Sequence, residues 1–199
     1  MNQEVIWSDR YREAGDQYLF GTEPNRFLAH RATLLQTGRS ALSVADGEGR
    51  NSIWLAEQGL DVTAIEISPV AVEKARRLAA GRKVDVRFVL ADMLAPNWPP
   101  LELHNTFDWV IGIFIQFVDP QARERQFAVM KQLTRAGGRI LLQGYTPKQL
   151  DYRTGGPSAS KTFTPKPCCA RLSPTGRLRN WWTTRTIFRR AWGTRGIQR

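Results

Sequence analysis

Ala41-Leu42-Ser43-Val44-Ala45-Asp46-Gly47-Glu48-Gly49-Arg50 joins a short β-type apolar run to a glycine-rich turn, and Ile53-Trp54-Leu55-Ala56 beyond it starts a helical pattern that stops near Gly59. A strand that enters a helix through glycines is the opening of a βαβ unit. The pattern then repeats. A second apolar run, Val62 to Ile65, ends at Glu66, and Ser68-Pro69 supplies an N-cap and a first-turn proline for a helix. Ala71, Ala75, Leu78 and Ala79 share one face of that helix.

Working outward, Val84 to Val89 alternates Val84, Val86 and Phe88 on one side and predicts a third strand ending just before Asp92. Phe107 to Ile113 is almost continuously apolar, as a central strand covered on both faces requires. Phe127, Met130 and Leu133, flanked by Val129, predict an amphipathic helix, and Gly137-Gly138 separates it from a fifth strand over Arg139 to Gln143. The expected fold is α/β: a Rossmann-like, mostly parallel sheet with helices on both faces. Ahead of it, a segment of about 40 residues with Trp7, Tyr11, Tyr18 and Phe20 and a helix near 25–36 reads as a cap over one end of the sheet. Domain bounds follow as a cap over 1–40 and a nucleotide-binding core over 41–144 within a unit of 1–157, and then an atypical tail over 158–199.

Charge divides along the same boundary. The chain carries a formal net charge of +11, but residues 1–150 hold 18 Lys and Arg against 17 Asp and Glu, whereas residues 151–199 hold 11 against 1. The basic character therefore belongs to the tail. The N-terminal residues lack the basic-then-apolar profile of a secretory signal, and the longest apolar run is about half the roughly 20 residues needed to cross a bilayer. Cys168 and Cys169 are adjacent and cannot staple distant segments. A cytoplasmic protein with no membrane segment is expected. No metal site is expected either, because His30 and His104 have no cysteine partners spaced as ligands.

The predicted strand ends carry the chemistry. Glycines between a strand and a helix let the backbone approach a ligand and present the positive end of the helix to it. Asp46-Gly47-Glu48-Gly49 is such a turn. Glu66, 19 residues after Gly47, closes the second strand, where a carboxylate can accept both hydroxyl hydrogens of a ribose. Asp92 follows the third strand, so three consecutive strand ends on one sheet edge carry a glycine turn, a Glu and an Asp. In an open parallel sheet that carboxyl edge is where ligands bind. Two nucleotide-containing ligands fit this pattern. Gly47-x-Gly49-x-x-Ser52 is a degraded dinucleotide fingerprint, so a NAD-binding Rossmann protein is one reading.

The other reading is carried by a resemblance. Val44-Ala45-Asp46-Gly47-Glu48-Gly49-Arg50-Asn51, Trp54-Leu55-Ala56, Ala64-Ile65-Glu66-Ile67-Ser68, Ala91-Asp92, Phe107-Asp108 and Gly137-Gly138 resemble the motifs of class I S-adenosylmethionine-dependent methyltransferases. Tyr18-Leu19-Phe20-Gly21-Thr22-Glu23-Pro24-Asn25 and Gly144-Tyr145-Thr146-Pro147 look like the tellurite-resistance and thiopurine S-methyltransferase-like small-molecule group. The resemblance spans roughly residues 7–157. It implies S-adenosyl-L-methionine as cofactor, with Gly47 and Gly49 at its methionine part, Glu66 at the ribose, Asp92 and Met93 at the adenine, and Asp46 and Ile67 among the residues that bind it. Two positions depart from the family pattern: Ala45 replaces the first glycine, and Ser43 stands where an acid is common.

Methyl transfer is an in-line displacement, so the protein mainly aligns the nucleophile and excludes water. A soft, already ionised acceptor, a thiol or an oxyanion, needs no dedicated base, and no catalytic residue is assigned. Tyr11, Tyr18, Gln116 and Tyr145 are candidates to line an acceptor pocket. By the same resemblance, enzymes that methylate exocyclic amines of bases carry an Asn/Asp-Pro-Pro-aromatic motif after the fourth strand. Here that position reads Ile113-Phe114-Ile115-Gln116-Phe117. A small-molecule substrate is expected rather than a nucleic acid.

The tail is a separate problem. After Pro157 come Thr162-Phe163-Thr164-Pro165, Pro167-Cys168-Cys169 and an Arg-rich stretch with Trp181, Trp182 and Trp192 and no period, where relatives continue with a helix and a strand pair. Three readings compete: an arm for RNA or DNA, in which arginines meet phosphates and tryptophans stack on bases; a solvated tail; and an out-of-frame C-terminus, whose composition in a GC-rich gene would be rich in Arg, Pro, Thr and Trp and poor in acids. The last predicts that the C-terminal strands are absent or altered. The first leaves a nucleic-acid-binding protein or an RNA methyltransferase as the alternative function.

Overall fold

The computed structural model describes residues 2–145 and, as backbone strands, residues 168–172 and 178–183. The cap consists of α1 (Gln3–Glu13), α2 (Arg26–Ala29) and a 3-10 turn, Ala32–Leu34. Alternating elements follow: β1 (Ser40–Val44), α3 (Arg50–Glu57), β2 (Asp61–Glu66), α4 (Pro69–Arg82), β3 (Arg87–Leu90), β4 (Phe107–Ile113), α5 (Pro120–Leu133) and β5 (Thr134–Gln143). Two more strands are β6 (Cys168–Leu172) and β7 (Leu178–Thr183). All seven lie in one sheet of order β3-β2-β1-β4-β5-β6-β7.

Strands β1 to β5 are mutually parallel, as the repeated strand-helix alternation implies. β6 runs antiparallel to β5, with Leu141 opposite Cys169, and β7 runs antiparallel to β6. A strand pair thus stands beside β5, where the sequence reading expects the C-terminal strands to be absent or altered. Two segments of the region set apart as a basic tail belong to the same sheet as the core.

Helix starts follow their sequence signals. The Ser68 hydroxyl accepts from Ala71 N at the start of α4, and the Asp119 carboxylate accepts from Gln121 N and Ala122 N at the start of α5; each helix has proline in its first turn. Three boundaries differ from expectation. β3 begins at Arg87 rather than Val84, because α4 ends on left-handed Lys83 and Val84 N donates to Ala79 O, which spends that amide on closing the helix. The helix expected near 25–36 breaks after Ala29, where the Arg31 guanidinium donates to Phe27 O and lies over the Phe27 ring. The fifth strand starts at Thr134 and takes Gly137-Gly138 into a bulge against β4, where pairing shifts between Phe107 and Trp109.

Alternate residues of the central strands feed two cores. Ala41, Trp109, Ile111 and Leu141 face the α3–α4 side with Ile53, Leu55 and Phe27. Leu42, Val110, Ile140 and Leu142 face the α5 side with Val129, Met130 and Leu133. Each fully buried aliphatic contributes about 1.5–3 kcal/mol, and a one-residue slip in β1 or β4 would exchange the side chains fitted to one core for those fitted to the other. That rigidity fixes where the strand ends stand. Among the described residues no helix is long and apolar enough to cross a membrane.

Candidate functional site

After β1 the chain moves through β2 to β3 on one side, then returns to β4 on the other. The carboxyl end of β1 therefore lies at the switch point of the sheet, where neighbouring connections diverge and leave a crevice. The residues after Val44 fill this position. Three of five have left-handed backbones: Ala45 at φ 48°, Gly47 at 66° and Gly49 at 91°. An alanine thus occupies a conformation that glycine adopts more readily, which locates the Ala45 departure in a strained residue of the turn.

Both departures from the family pattern have a physical place. Ser43 donates its hydroxyl to Asp46 Oδ1 at 2.6 Å, and Ser52 donates to the other oxygen, so Asp46 is turned inward and ties the turn to the first turn of α3. Burial pushes the Asp46 carboxyl above the usual carboxylate range, while the two serine hydroxyls favour the charged form. The carboxylate of Asp46 is thus a latch of the turn.

Glu66 closes β2 and brings the first two strand ends together. Its Oε2 accepts from Gly47 N at 2.9 Å and its Oε1 from Ser68 N at 3.0 Å. Burial pushes this carboxyl up as well, opposed by those amides. A carboxylate has roughly four acceptor positions, so these amides do not saturate it and a ligand's hydroxyl can still be accepted. The third strand end is fastened by Ala91 N donating to Glu66 O at 2.9 Å. Asp92 follows, exposed, with Oδ1 accepting from Leu94 N; Met93 is buried on the α5 side, and Ile67 is half-buried. Asp46, Gly47, Gly49 and Glu66 form one contiguous cluster, and Ile67 and Asp92 lie at its margin.

The cap closes over this cluster. A Cβ added at Gly47 would sit 2.9 Å from the Tyr11 hydroxyl, so the phenol of α1 lies directly on the glycine turn. Burial, then Glu66 and Glu48, push the Tyr11 hydroxyl up in pKa, which keeps it protonated. Ser8 and Ser68 share a buried hydrogen bond of 2.8 Å, and Trp7, Tyr11 and Phe20 form a triangle of rings, with Trp7 stacked on Tyr11 and Phe20 edge-on to Tyr11. Asn25 N donates to Asn51 Oδ1, and Arg50 donates to Phe20 O at 2.8 Å. Glu48, between the two glycines, is buried against Lys74 at 2.6 Å and accepts from Leu19 N at 2.7 Å. Sequence reasoning missed Glu48 and Lys74; an acid flanked by glycines and a lysine beside the alanine face of α4 were the only signals.

On the far side of the crevice, Tyr145 stacks on Phe114 at 4.5 Å between ring centres and exchanges hydrogen bonds with the Gln116 side chain. Burial raises the Tyr145 phenol, and Arg50 opposes that shift. Tyr11 and Tyr145 both act electrostatically on Arg50, and the Gln116 side chain holds the Tyr145 backbone. His30 is exposed just past the end of α2, and His104 bonds to Pro99 O, away from the crevice.

The residues present fit an S-adenosyl group: a turn with no side chain at Gly47 and Gly49, a strand-end acid with acceptor positions to spare, and a second acid at the margin. Residues 41–138 match the family model described as "Methyltransferase domain". The chain is 28% identical over 141 residues to the glycine/sarcosine N-methyltransferase of Parasynechococcus marenigrum (strain WH8102), a match that covers 69% of this chain and 45% of that protein. The chain thus spans less than half the length of this curated relative. Among solved structures, it is similar to a protein studied in the conversion of a disulfide bond into a thioacetal group during echinomycin biosynthesis, at TM-score 0.60, 20% identity and coverage of 73% and 64% of the two chains. It is also similar to a TehB-like SAM-dependent methyltransferase from Corynebacterium glutamicum ATCC 13032 Kitasato, at TM-score 0.52 and 19% identity, covering 69% and 70%. Residues 41–138 are a methyltransferase domain, and the fold around them is that of the S-adenosylmethionine-dependent methyltransferases.

Proposed function

We propose that the chain transfers a methyl group from S-adenosylmethionine to a small-molecule acceptor whose nucleophile arrives already ionised, as a thiolate or an oxyanion. The observation that carries the donor half is the Glu66–Gly47 hydrogen bond, which joins a strand-end acid to a side-chain-free turn at the switch point of the sheet. Bound there, the donor supplies an electrophilic methyl group on a sulfonium. Gly47 and Gly49 let the backbone meet its methionine part, Glu66 accepts from the ribose hydroxyls, and Asp92 stands towards the base. Tyr11, Trp7 and Phe20 exclude water, which strengthens the electrostatics of the closed site.

The acceptor half rests on the titration of the lining groups. Tyr11 and Tyr145 are both held protonated, and the buried Asp46 carboxylate is engaged by two serines. Of the residues expected to line the acceptor pocket, the two tyrosines thus offer no base, and Glu66 is turned to the glycine turn and the donor's ribose. An acceptor that brings its own negative charge matches that inventory, and Arg50, which follows the glycine turn and feels both tyrosines, gives it a positive neighbour.

Calorimetric titration with S-adenosylhomocysteine tests the donor half; a saturable 1:1 isotherm and a ligand-dependent rise in melting temperature are expected. Glu66→Gln keeps one acceptor oxygen and is expected to weaken binding about tenfold, as loss of a hydrogen bond to a charged group does. Absence of binding at millimolar ligand, with the protein folded, would refute the reading. A panel of thiols and oxyanions assayed with methyl-labelled donor, run against primary and secondary amines, tests the acceptor half.

A further inference from the structure

The N-terminal cap is fastened to the glycine turn by a buried ion pair. Lys74 on α4 and Glu48 in the turn are 2% and 3% exposed, with Nζ and Oε1 2.6 Å apart. Their remaining bonds go to the backbone of the cap. Lys74 Nζ donates to Gln17 O at 2.6 Å and reaches Tyr11 O at 3.4 Å, while Glu48 Oε2 accepts from Leu19 N at 2.7 Å. The Tyr18 hydroxyl donates to Lys74 O at 3.2 Å. Cap and turn therefore meet in a ring of contacts that runs from Lys74 to Tyr11, from the Tyr11 hydroxyl to Gly47, along the chain to Glu48, and back to Lys74.

We propose that the Glu48–Lys74 pair is a positioning device that couples closure of the cap to the conformation of the Gly47–Gly49 turn, so that donor affinity is set in part by a lysine that touches no ligand. The affinity clause rests on the donor reading above; the coupling itself does not. A buried pair of this kind is no better for stability than well-packed apolar residues of the same volume, so stability alone does not account for it. What apolar residues cannot do is hold direction. Glu48 stands between left-handed Gly47 and Gly49, which have the freest backbones in the turn, and its carboxylate is anchored from outside the turn. Moving that anchor re-aims both glycines. Releasing Lys74 frees Tyr11 and Gln17 from the same point, so cap and turn are expected to loosen together.

Hydrogen exchange on the full chain without ligand tests the coupling. Lys74→Met is expected to speed exchange at least about tenfold both in residues 11–19 and in residues 46–50, with β4 and β5 unchanged, a coupling of the usual size between linked sites. Because Lys74→Met leaves Glu48 buried without a counter-charge, the double variant Glu48→Gln/Lys74→Met, which buries no charge, is measured beside it with the same expectation. Faster exchange in the cap with the turn unchanged within about twofold would overturn the proposal. S-adenosylhomocysteine is expected to bind the double variant about tenfold or more weakly, whereas affinity within about twofold of the parent would equally overturn it. If the parent itself fails to bind that ligand, the methyl-donor reading falls, and exchange in the turn still decides the coupling.

Discussion

Gly47→Ala tests whether the cap rests on the glycine turn, and the structure sets its magnitude. Gly47 has φ 66°, where a Cβ costs about 1–2 kcal/mol. The added carbon would also stand 2.9 Å from the Tyr11 hydroxyl, on a ring that is 4% exposed and packed against Trp7 and Phe20, and such crowding typically costs about 1–3 kcal/mol. The expected loss is thus about 2–5 kcal/mol, or a fall in melting temperature of about 4–20 °C for a chain of this size. Tyr11→Phe removes the clashing atom. The nearest remaining atom is the ring carbon at 3.7 Å, an ordinary contact, so Gly47→Ala in that background should cost only the backbone share of about 1–2 kcal/mol. Urea unfolding of the four proteins gives the cycle, and a coupling of about 1–3 kcal/mol is expected. A coupling under about 0.5 kcal/mol would show that Tyr11 does not rest on Gly47, and the closed cap would have to be abandoned.

Two further outcomes are expected away from the crevice. Asp108 is pulled upward by burial, but the Arg135 guanidinium and the Ser40 amide and hydroxyl outweigh this and hold its carboxyl below the usual range. A depressed carboxylate stabilises the fold above its ordinary pKa of about 4, and that contribution disappears as pH falls through the lowered value, so Asp108→Asn should cost about 1–3 kcal/mol at pH 7 and converge with the parent below about pH 3. In the tail, replacing Arg185, Arg189 and Arg190 by Gln should reduce the salt slope of any affinity for single-stranded nucleic acid by about 2, at about 0.7 per phosphate contact. An unchanged slope would assign the contact to the core, whose charge nearly cancels.

Legibility followed the range of the interaction. The cap at Ser68 and the span of β4 were readable because each depends on neighbours within a few residues. The start of β3 was not. Val84 continues the strand's alternation, yet its amide is taken by Ala79 across the end of α4, and a period cannot show which of two partners an amide will choose. α1 was also missed: its sequence mixes charges and aromatics without a clean apolar stripe, and only contact with α4 and the turn makes it a buried element.

Taken alone, the sequence determined the alternation of strand and helix, the strand ends at Gly47, Glu66 and Asp92, and the concentration of the excess positive charge in the tail. These are consequences of local period, turn chemistry and composition. Tertiary structure alone decided that Asp46 turns inward to two serines, that Glu66 is bonded to Gly47, that Tyr11 lies on the turn from 36 residues upstream, and that Lys74 is buried against Glu48. It also placed Cys168–Leu172 beside β5 and Leu178–Thr183 beside that strand. Each of those contacts joins residues with no shared period. Their energy depends on desolvation and direction in three dimensions, and both are settled only when the sheet brings its strand ends to one edge and the cap closes over them.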